Sequence, residues 1–317
     1  MRKTLATLAA VAGTFSAASA MAAGYPSKPV QVILPWPPLA TSTDVIARKV
    51  IEGMEQELKG KFTIVNKPGG AGVIGTKELT DARPDGYTLG GLTIGPAVSQ
   101  IAAGNTPYKI ADLQPIGIFA TLPFLILARK DAPFDDVASL AKHAKTAAKP
   151  IVLAHWGKAT VPTLSTYRLA AGAGFTFNEV AYTKVDTSQL LNGDADLAIV
   201  PLTAALSSIK AGQTKAIVAL TPSRMPALPD LKTVREQGFN FDVSIWTGLF
   251  APKGTPADIV AKLTKALQAA TKRPDVVKFV NESGAILYYA DADATKAQMQ
   301  SEYDAFRAEL VRLKLAK

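Results

Sequence analysis

Cysteine is absent from the 317 residues, and histidine occurs only twice, as His143 and His155. The first absence excludes disulfides, thiolate zinc sites, iron–sulfur clusters, a cysteine nucleophile and a lipidated N-terminal cysteine. The second argues against a metal site built from several histidines, and no cofactor is expected. G-x-S-x-G and H-E-x-x-H are both missing. A Ser-His-Asp triad would have to use His155, with no nucleophile elbow beside it, so the sequence points away from an enzyme. Acidic residues are outnumbered, 26 against 35 basic ones, for a formal charge of +9. Such a surplus steers anions without identifying them. Lys142, Lys145 and Lys149 lie on a helix-like surface with no interleaved aromatics, so nucleic acid is not an expected partner.

What the chain does have is apolar residues, 48% of the total. That is more than one small core needs, and chains of this length usually divide into two domains. At the N-terminus, residues 1–23 read as a secretory signal. Arg2 and Lys3 precede an apolar stretch from about residue 5 to 18, and Ala20-Met21-Ala22 offers a cleavage site. The stretch is short for a membrane span, though a short anchor is the alternative reading. No later window reaches span length. A soluble periplasmic protein of a bacterium is the expectation.

Beyond the signal, strand and helix patterns alternate. Residues 29–34 read as a buried strand stopped by Pro35. Ser42, Thr43 and Asp44 are N-cap types, followed by apolar Val45, Ile46, Val50 and Met54 at helical spacing, to about residue 60. Residues 62–65 form a second strand, residues 68–72 a glycine-rich loop opening a helix to about residue 82, and residues 87–89 a third strand. The apolar run 116–128 is too long for one ordinary strand and contains Pro123. It reads as two segments meeting at a bend where the chain crosses between domains. A second set follows: strands at 151–154, 179–182 and 196–200, with a helix at 162–171 and another including residues 189–191. Residues 216–220 read as the return crossing, and the proline-rich stretch 221–229 as the start of a region rejoining the first domain. Amphipathic helices are expected at 256–271 and 294–313. This alternation favours an α/β fold with mainly parallel sheets. Two such lobes joined by two crossings form a cleft, and ligands of open α/β sheets sit outside the carboxyl ends of the strands. Helix N-termini there suit carboxylates or phosphates.

Several motifs admit a plain reading beside a functional one. Gly70-Ala71-Gly72-Val73-Ile74-Gly75 matches G-x-G-x-x-G after a strand. The turn is longer than a dinucleotide needs, and the next strand ends in Leu89-Gly90-Gly91-Leu92 rather than in an acid for the ribose. Close helix–strand packing is the favoured explanation. Asp44 and Arg48 stand one helical turn apart, as a surface ion pair worth about 0.3–0.5 kcal/mol or as an anchor for the loop of residues 36–43. His155 follows a strand and precedes a helix, and Trp36 holds the equivalent place in the first lobe. Either is a candidate for the cleft, Trp36 stacking on a planar substrate or simply packing its loop.

Taken in order, several segments resemble the TctC or Bug-type family, the periplasmic solute-binding proteins of tripartite tricarboxylate transporters. The carriers are Tyr25-Pro26-Ser27-Lys28-Pro29-Val30, Asp44-Val45-Ile46-Ala47-Arg48, the Asn66-Lys67-Pro68-Gly69-Gly70 run continuing to Gly75, and Asp85-Gly86-Tyr87-Thr88-Leu89. Leu190-Leu191-Asn192-Gly193-Asp194, Arg224 with Leu228-Pro229-Asp230, Glu236-Gln237-Gly238, Trp246-Thr247-Gly248-Leu249 and Ala251-Pro252-Lys253-Gly254-Thr255-Pro256 follow. The resemblance spans nearly the whole chain after the signal. It implies a two-lobed, type II-like periplasmic binding protein that closes on a small organic carboxylate. Loop backbone groups and ordered waters of the first lobe would hold a carboxylate, and the second lobe would supply selective contacts. Lobe 1 is expected at 24–121 and 222–290, lobe 2 at 122–221, with a C-terminal helix at 291–317 packing across both.

The departures from the family pattern are local. Leu39-Ala40-Thr41 stands where a Gly-Gly pair is usual, Ala159 and Thr163 replace a glycine and a histidine, and Tyr182-Thr183-Lys184 replaces Tyr-Lys-Gly. The family's carboxylate pose therefore does not follow automatically, and an aromatic or otherwise unusual acid is one reading. Candidate first-lobe contacts are Trp36, Pro38, Leu39, Ala40, Thr41, Ser42 and Asp44, with Thr93 and Ser99 in the next loop. Candidate second-lobe contacts are His155, Lys158, Thr160 and Thr163, with Tyr182 and Thr203 beside them. His155 and Lys158 would take a second anionic group. The expected partners are such a carboxylate, aromatic and dicarboxylic acids included, and the membrane subunits of a tripartite tricarboxylate-type transporter, with the receptor a monomer. The alternatives are a ligand-sensing protein presenting its closed form to a membrane sensor kinase and, from another class, a secreted hydrolase or nucleotide-using enzyme.

Overall fold

The structure, a computed structural model, describes residues 24–38, 42–158, 160–182, 184–241 and 245–315. The elements run β1 (Val30–Leu34), α1 (Ser42–Leu58), β2 (Phe62–Asn66), α2 (Val73–Asp81), β3 (Thr88–Thr93), the short α3 (Gln100–Ala102) and β4 (Leu113–Thr121). Then come β5 (Phe124–Arg129), α4 (Val137–Thr146), β6 (Val152–His155), α5 (Val161–Ala173), β7 (Asn178–Ala181), the one-turn α6 (Ser188–Leu191), β8 (Leu197–Pro201), α7 (Leu202–Lys210) and β9 (Thr214–Leu220). The chain ends with β10 (Trp246–Pro252), α8 (Ala257–Lys272), α9 (Pro274–Glu282), β11 (Ile286–Ala290) and α10 (Ala292–Arg312).

Two sheets result, one of order β11-β4-β10-β3-β1-β2, the other β7-β6-β8-β5-β9. The long apolar run divides at Leu122-Pro123, β4 entering the first sheet and β5 the second. Proline has no N–H for a ladder and fixes its own φ, so the strand cannot continue through it. The sheets are mixed rather than mainly parallel, which corrects the expectation from alternation. β10 runs antiparallel to β3 and β4, β11 to β4, and β5 to both β8 and β9. The reason lies in the crossing. β1, β3, β4, β6, β8 and β9 all run toward it, whereas β5, β10 and β11 start beside it and run away. Only a crossover inside one sheet enforces parallel direction.

Residues 216–220 are an edge strand of the second sheet and not a crossing. The segment after them stays with that sheet: Ala219 N–H donates to the Lys232 carbonyl at 3.0 Å, and Gln237 Nε2 donates to the Ile217 carbonyl at 2.8 Å. Met225, Val234 and Phe241 are buried in the second lobe's cores. The start of the expected 222–290 portion of lobe 1 therefore moves. Residues 222–241 pack on lobe 2, because their apolar side chains find cover there before the chain returns.

Both faces of the first sheet are covered. α1, α8 and α9 lie on one side, over Val30, Val32, Ile116 and Phe119. α2 and α10 lie on the other, over Ile33, Leu92, Trp246 and Phe250. Trp246, Phe119 and Phe250 are among the largest fully buried side chains, each contributing about 1.5–3 kcal/mol or more of burial free energy. α10 also reaches α5 of the second lobe, where Leu164 joins Leu310 and Ala103 in a small cluster. The G-x-G-x-x-G segment is explained by packing. A Cβ on Gly75 would stand 2.8 Å from the Lys67 carbonyl oxygen and 3.0 Å from Pro35 Cβ, so only glycine lets α2 lie this close to the β2 end.

Candidate functional site

Strand register places the carboxyl ends of both sheets at the crossing. Thr93, the last residue of β3, pairs with Thr247, and Trp246 beside it pairs with Thr121, the end of β4. Across Leu122-Pro123, Phe124 pairs with Pro201, the end of β8. Loops following β1, β3, β6 and β8 therefore face the junction between the lobes, where open α/β sheets bind ligands.

In the first lobe, Trp36 and Asp44 are brought together. Asp44 is fully buried. Its Oδ1 accepts from Trp36 Nε1 at 3.1 Å and from Asn66 Nδ2 at 2.7 Å, and its Oδ2 from Arg48 Nε at 2.7 Å. Asn66 closes the network, donating to the Trp36 carbonyl at 2.9 Å and accepting from Arg48 Nη2 at 2.6 Å. The Asp44–Arg48 pair is thus no surface ion pair, and its role is to anchor the loop after β1. Trp36 packs half-buried on the first core. Pro38 is exposed. Leu39, Ala40 and Thr41 lie outside the described residues, as does the side chain of Ser42, whose backbone opens α1. Thr93 is half-buried, while Ser99 is buried and turns its Oγ to the Gly95 carbonyl at 3.3 Å.

In the second lobe, His155, Lys158, Thr160 and Thr163 cluster between β6 and α5. His155 is 1% exposed. Its Nδ1 accepts the Gly157 N–H at 3.0 Å, so the proton of the neutral ring sits on Nε2, 3.5 Å from Glu179 Oε2. Burial holds the His155 pKa below its ordinary value, against the pull of Glu179. Lys158 is more exposed and pairs with the other Glu179 oxygen. His155 is therefore buried and positions the turn at Gly157, and the charge of Lys158 is matched by Glu179. Thr160 Oγ1 lies 3.0 Å from the Gly157 carbonyl and 2.9 Å from the Thr163 hydroxyl. Tyr182 N–H donates to the His155 carbonyl at 2.9 Å while its side chain, like that of Trp156, packs partly buried on a core of the second lobe. Thr203 sits apart, its methyl group against Gly284 in the turn before β11.

Two participants were missed from sequence, Asn66 and Glu179. Asn66 stands on β2 opposite Leu34, just before the loop that carries Trp36, and Glu179 on β7 opposite Leu153, just before His155. Only the parallel pairing brings them close. Among the described residues there is no cluster of metal-ligating side chains and no helix long and apolar enough to cross a membrane.

Among the described residues of these loops, Arg48 and Lys158 are thus committed to carboxylates, and neutral donors stand beside them. α5 starts at the end of the β6 loop, with Thr160 as its N-cap and Pro162 in its first turn. Thr160 Oγ1 meets the Thr163 hydroxyl but accepts from no main-chain N–H of that turn, and the first N–H groups of a helix have no intrahelical acceptor. Such an end attracts anions.

Comparison with known proteins agrees with this geometry. Residues 46–311 match the family described as "Tripartite tricarboxylate transporter family receptor", TctC. A UPF0065 protein of Bordetella pertussis is 32% identical over 282 residues, covering 87% of each chain. The crystal structure of a TctC solute-binding protein from Polaromonas, without ligand, has a TM-score of 0.81 at 25% identity, over 91% of this chain and 99% of that one. MatC of Rhodopseudomonas palustris, solved with bound malate, has a TM-score of 0.71 at 28% identity, over 90% of this chain and all of that one. The Polaromonas protein is a solute-binding protein, the matched family is one of receptors and not of enzymes, and the chain belongs to the tripartite tricarboxylate transporter receptor family.

Proposed function

We propose that the protein is a periplasmic receptor that captures a small organic carboxylate and delivers it to the membrane subunits of a tripartite tricarboxylate-type transporter. The observation that carries this is the pairing state of the walls. Arg48 is spent on Asp44 and Asn66, and Lys158 on Glu179, so the anion is held by uncapped main-chain N–H groups at α5 and by threonine hydroxyls. Neutral donors suit a carboxylate that must be released unchanged, because a buried arginine partner would slow its exit. The malate bound to MatC supports the ligand class. Export through residues 1–23 belongs to the same proposal.

A thermal-shift and calorimetric screen of mono-, di- and aromatic carboxylates, malate first, tests it. A ligand at 100 times its Kd adds about 2.7 kcal/mol to the native state, a clear rise in melting temperature. No shift and no heat with any acid in the panel refutes the carboxylate reading. Capture of the transporter membrane subunits by the liganded receptor, and not of sensor-kinase ectodomains, tests the delivery step.

A further inference from the structure

On the far side of α5 the two lobes enclose a second cavity, of about 470 Å³. Val161, Leu164, Ser165 and Arg168 line it from α5, and their spacing of three and four puts them on one helical stripe. Thr160 and Thr163 fall on the opposite side of that helix, and neither they nor Trp36, His155 or Lys158 line the cavity. Ile94, next to Thr93, also lines it, so the cavity adjoins the strand-end cleft without sharing those candidate contacts. Its size is within the roughly 300–1,000 Å³ of small-molecule pockets.

Its two walls carry opposite charges that do not pair with each other. On the first-lobe wall stands Glu302 of α10, shielded from bulk solvent by the surrounding protein and facing the cavity. Its Oε2 accepts from Trp246 Nε1 at 2.8 Å and its Oε1 from Gln298 Nε2 at 2.8 Å. Tyr288 of β11 braces Gln298, donating to its Oε1 at 2.9 Å. Each carboxylate oxygen keeps a further lone pair. Burial raises the Glu302 carboxyl to about 7, the mark of a carboxylate without a cation. On the second-lobe wall Arg168 lays its guanidinium over the Phe241 ring, 4.4 Å from the centroid. No carboxylate among the described residues pairs with it. The remaining charged residue of the lining, Glu309 on α10, is taken by Arg312.

A simple anion in this space would meet Glu302, and a simple cation would meet Arg168. A molecule carrying both charges satisfies both walls and covers its methylenes with Phe241 and Phe306. We propose that this cavity is a second ligand site, for a small zwitterion of the ω-amino-acid class, with its carboxylate on Arg168 and its ammonium on Glu302. Such a ligand ties α5 of one lobe to α10 of the other. It stabilises the arrangement in which the lobes touch, so it is coupled to occupancy of the strand-end cleft, with reciprocal effect.

The test is calorimetry on the full exported chain with the series from 3-aminopropanoate to 6-aminohexanoate. Carboxylates and alkylamines of equal length, each with one charge, serve as controls. At least one ω-amino acid is expected to bind, and each control at least tenfold more weakly. Arg168→Gln and Glu302→Gln should each cost tenfold or more, and affinity should rise from pH 6 to pH 8 as Glu302 loses its proton. Arg168 is exposed, so its variant reports binding even if Glu302→Gln folds poorly. No heat from any member, equal binding of the singly charged controls, or binding unchanged by Arg168→Gln overturns the proposal. The carboxylate screen on Arg168→Gln separates the two sites, because a strand-end ligand should bind that variant like the wild type.

Discussion

Removing the Asp44 carboxylate gives the sharpest test of how the first-lobe loop is held. In Asp44→Ala three donors among the described residues lose their acceptor at once: Trp36 Nε1, Asn66 Nδ2 and Arg48 Nε. They do not suffer equally. The Arg48 side chain is 32% exposed and can turn to water, so its share is small. Asn66 keeps its bond to the Trp36 carbonyl but loses the stronger partner. The Trp36 indole packs half-buried on the core, so its N–H is left partly desolvated. Each donor left dry costs about 1–3 kcal/mol, so the variant should lose about 3 kcal/mol in denaturant-induced unfolding, with the slope unchanged. Arg48→Ala should also destabilise, by leaving a buried carboxylate without its cation. The double variant should lose at least about 1 kcal/mol less than the sum, because both changes break one network. A loss below about 1 kcal/mol for Asp44→Ala, or strict additivity in the cycle, would refute the claim that this network anchors the loop.

Glu302 makes stability depend on pH. The folded carboxyl holds its proton to about 7, above its ordinary value of 4.5, so the native state binds more protons than the unfolded chain between those values. Its contribution is fully present below pH 4.5 and lost as pH rises through 7, a change of up to about 3 kcal/mol. Glu302→Gln should flatten that part of the profile, and parallel curves for the two proteins would disprove the assignment. Gly75→Ala should cost about 1–3 kcal/mol, read as a lower denaturation midpoint, since the obstructing Lys67 oxygen is backbone and cannot swing away. A midpoint equal to the wild type's would mean that α2 has room to move. His155→Phe keeps an aromatic ring, somewhat larger, but removes the acceptor for the Gly157 N–H, costing about 1–3 kcal/mol. It should also weaken carboxylate binding in calorimetry by loosening the turn before α5, whereas unchanged affinity would separate His155 from the site altogether.

Local pattern was enough for much of the fold. Residues 42–58, 257–272 and 292–312 carry helical periodicity that survives in any context, and Pro123 stops a strand wherever the chain goes. Trp36 and Asp44 could be paired on paper because eight residues and one helix start separate them. Asn66 and Glu179 could not, because each is brought to its partners by the pairing of its strand with a neighbour, and register is a property of the sheet. The same limit hid the antiparallel strands and the attachment of residues 222–241 to the second lobe. Periodicity records which face of a segment is apolar, a decision of neighbouring side chains. Strand direction, the burial of Asp44 and His155, and the setting of Glu302 opposite Arg168 depend on groups that meet only when distant segments share one desolvated space, so the tertiary structure alone decided them.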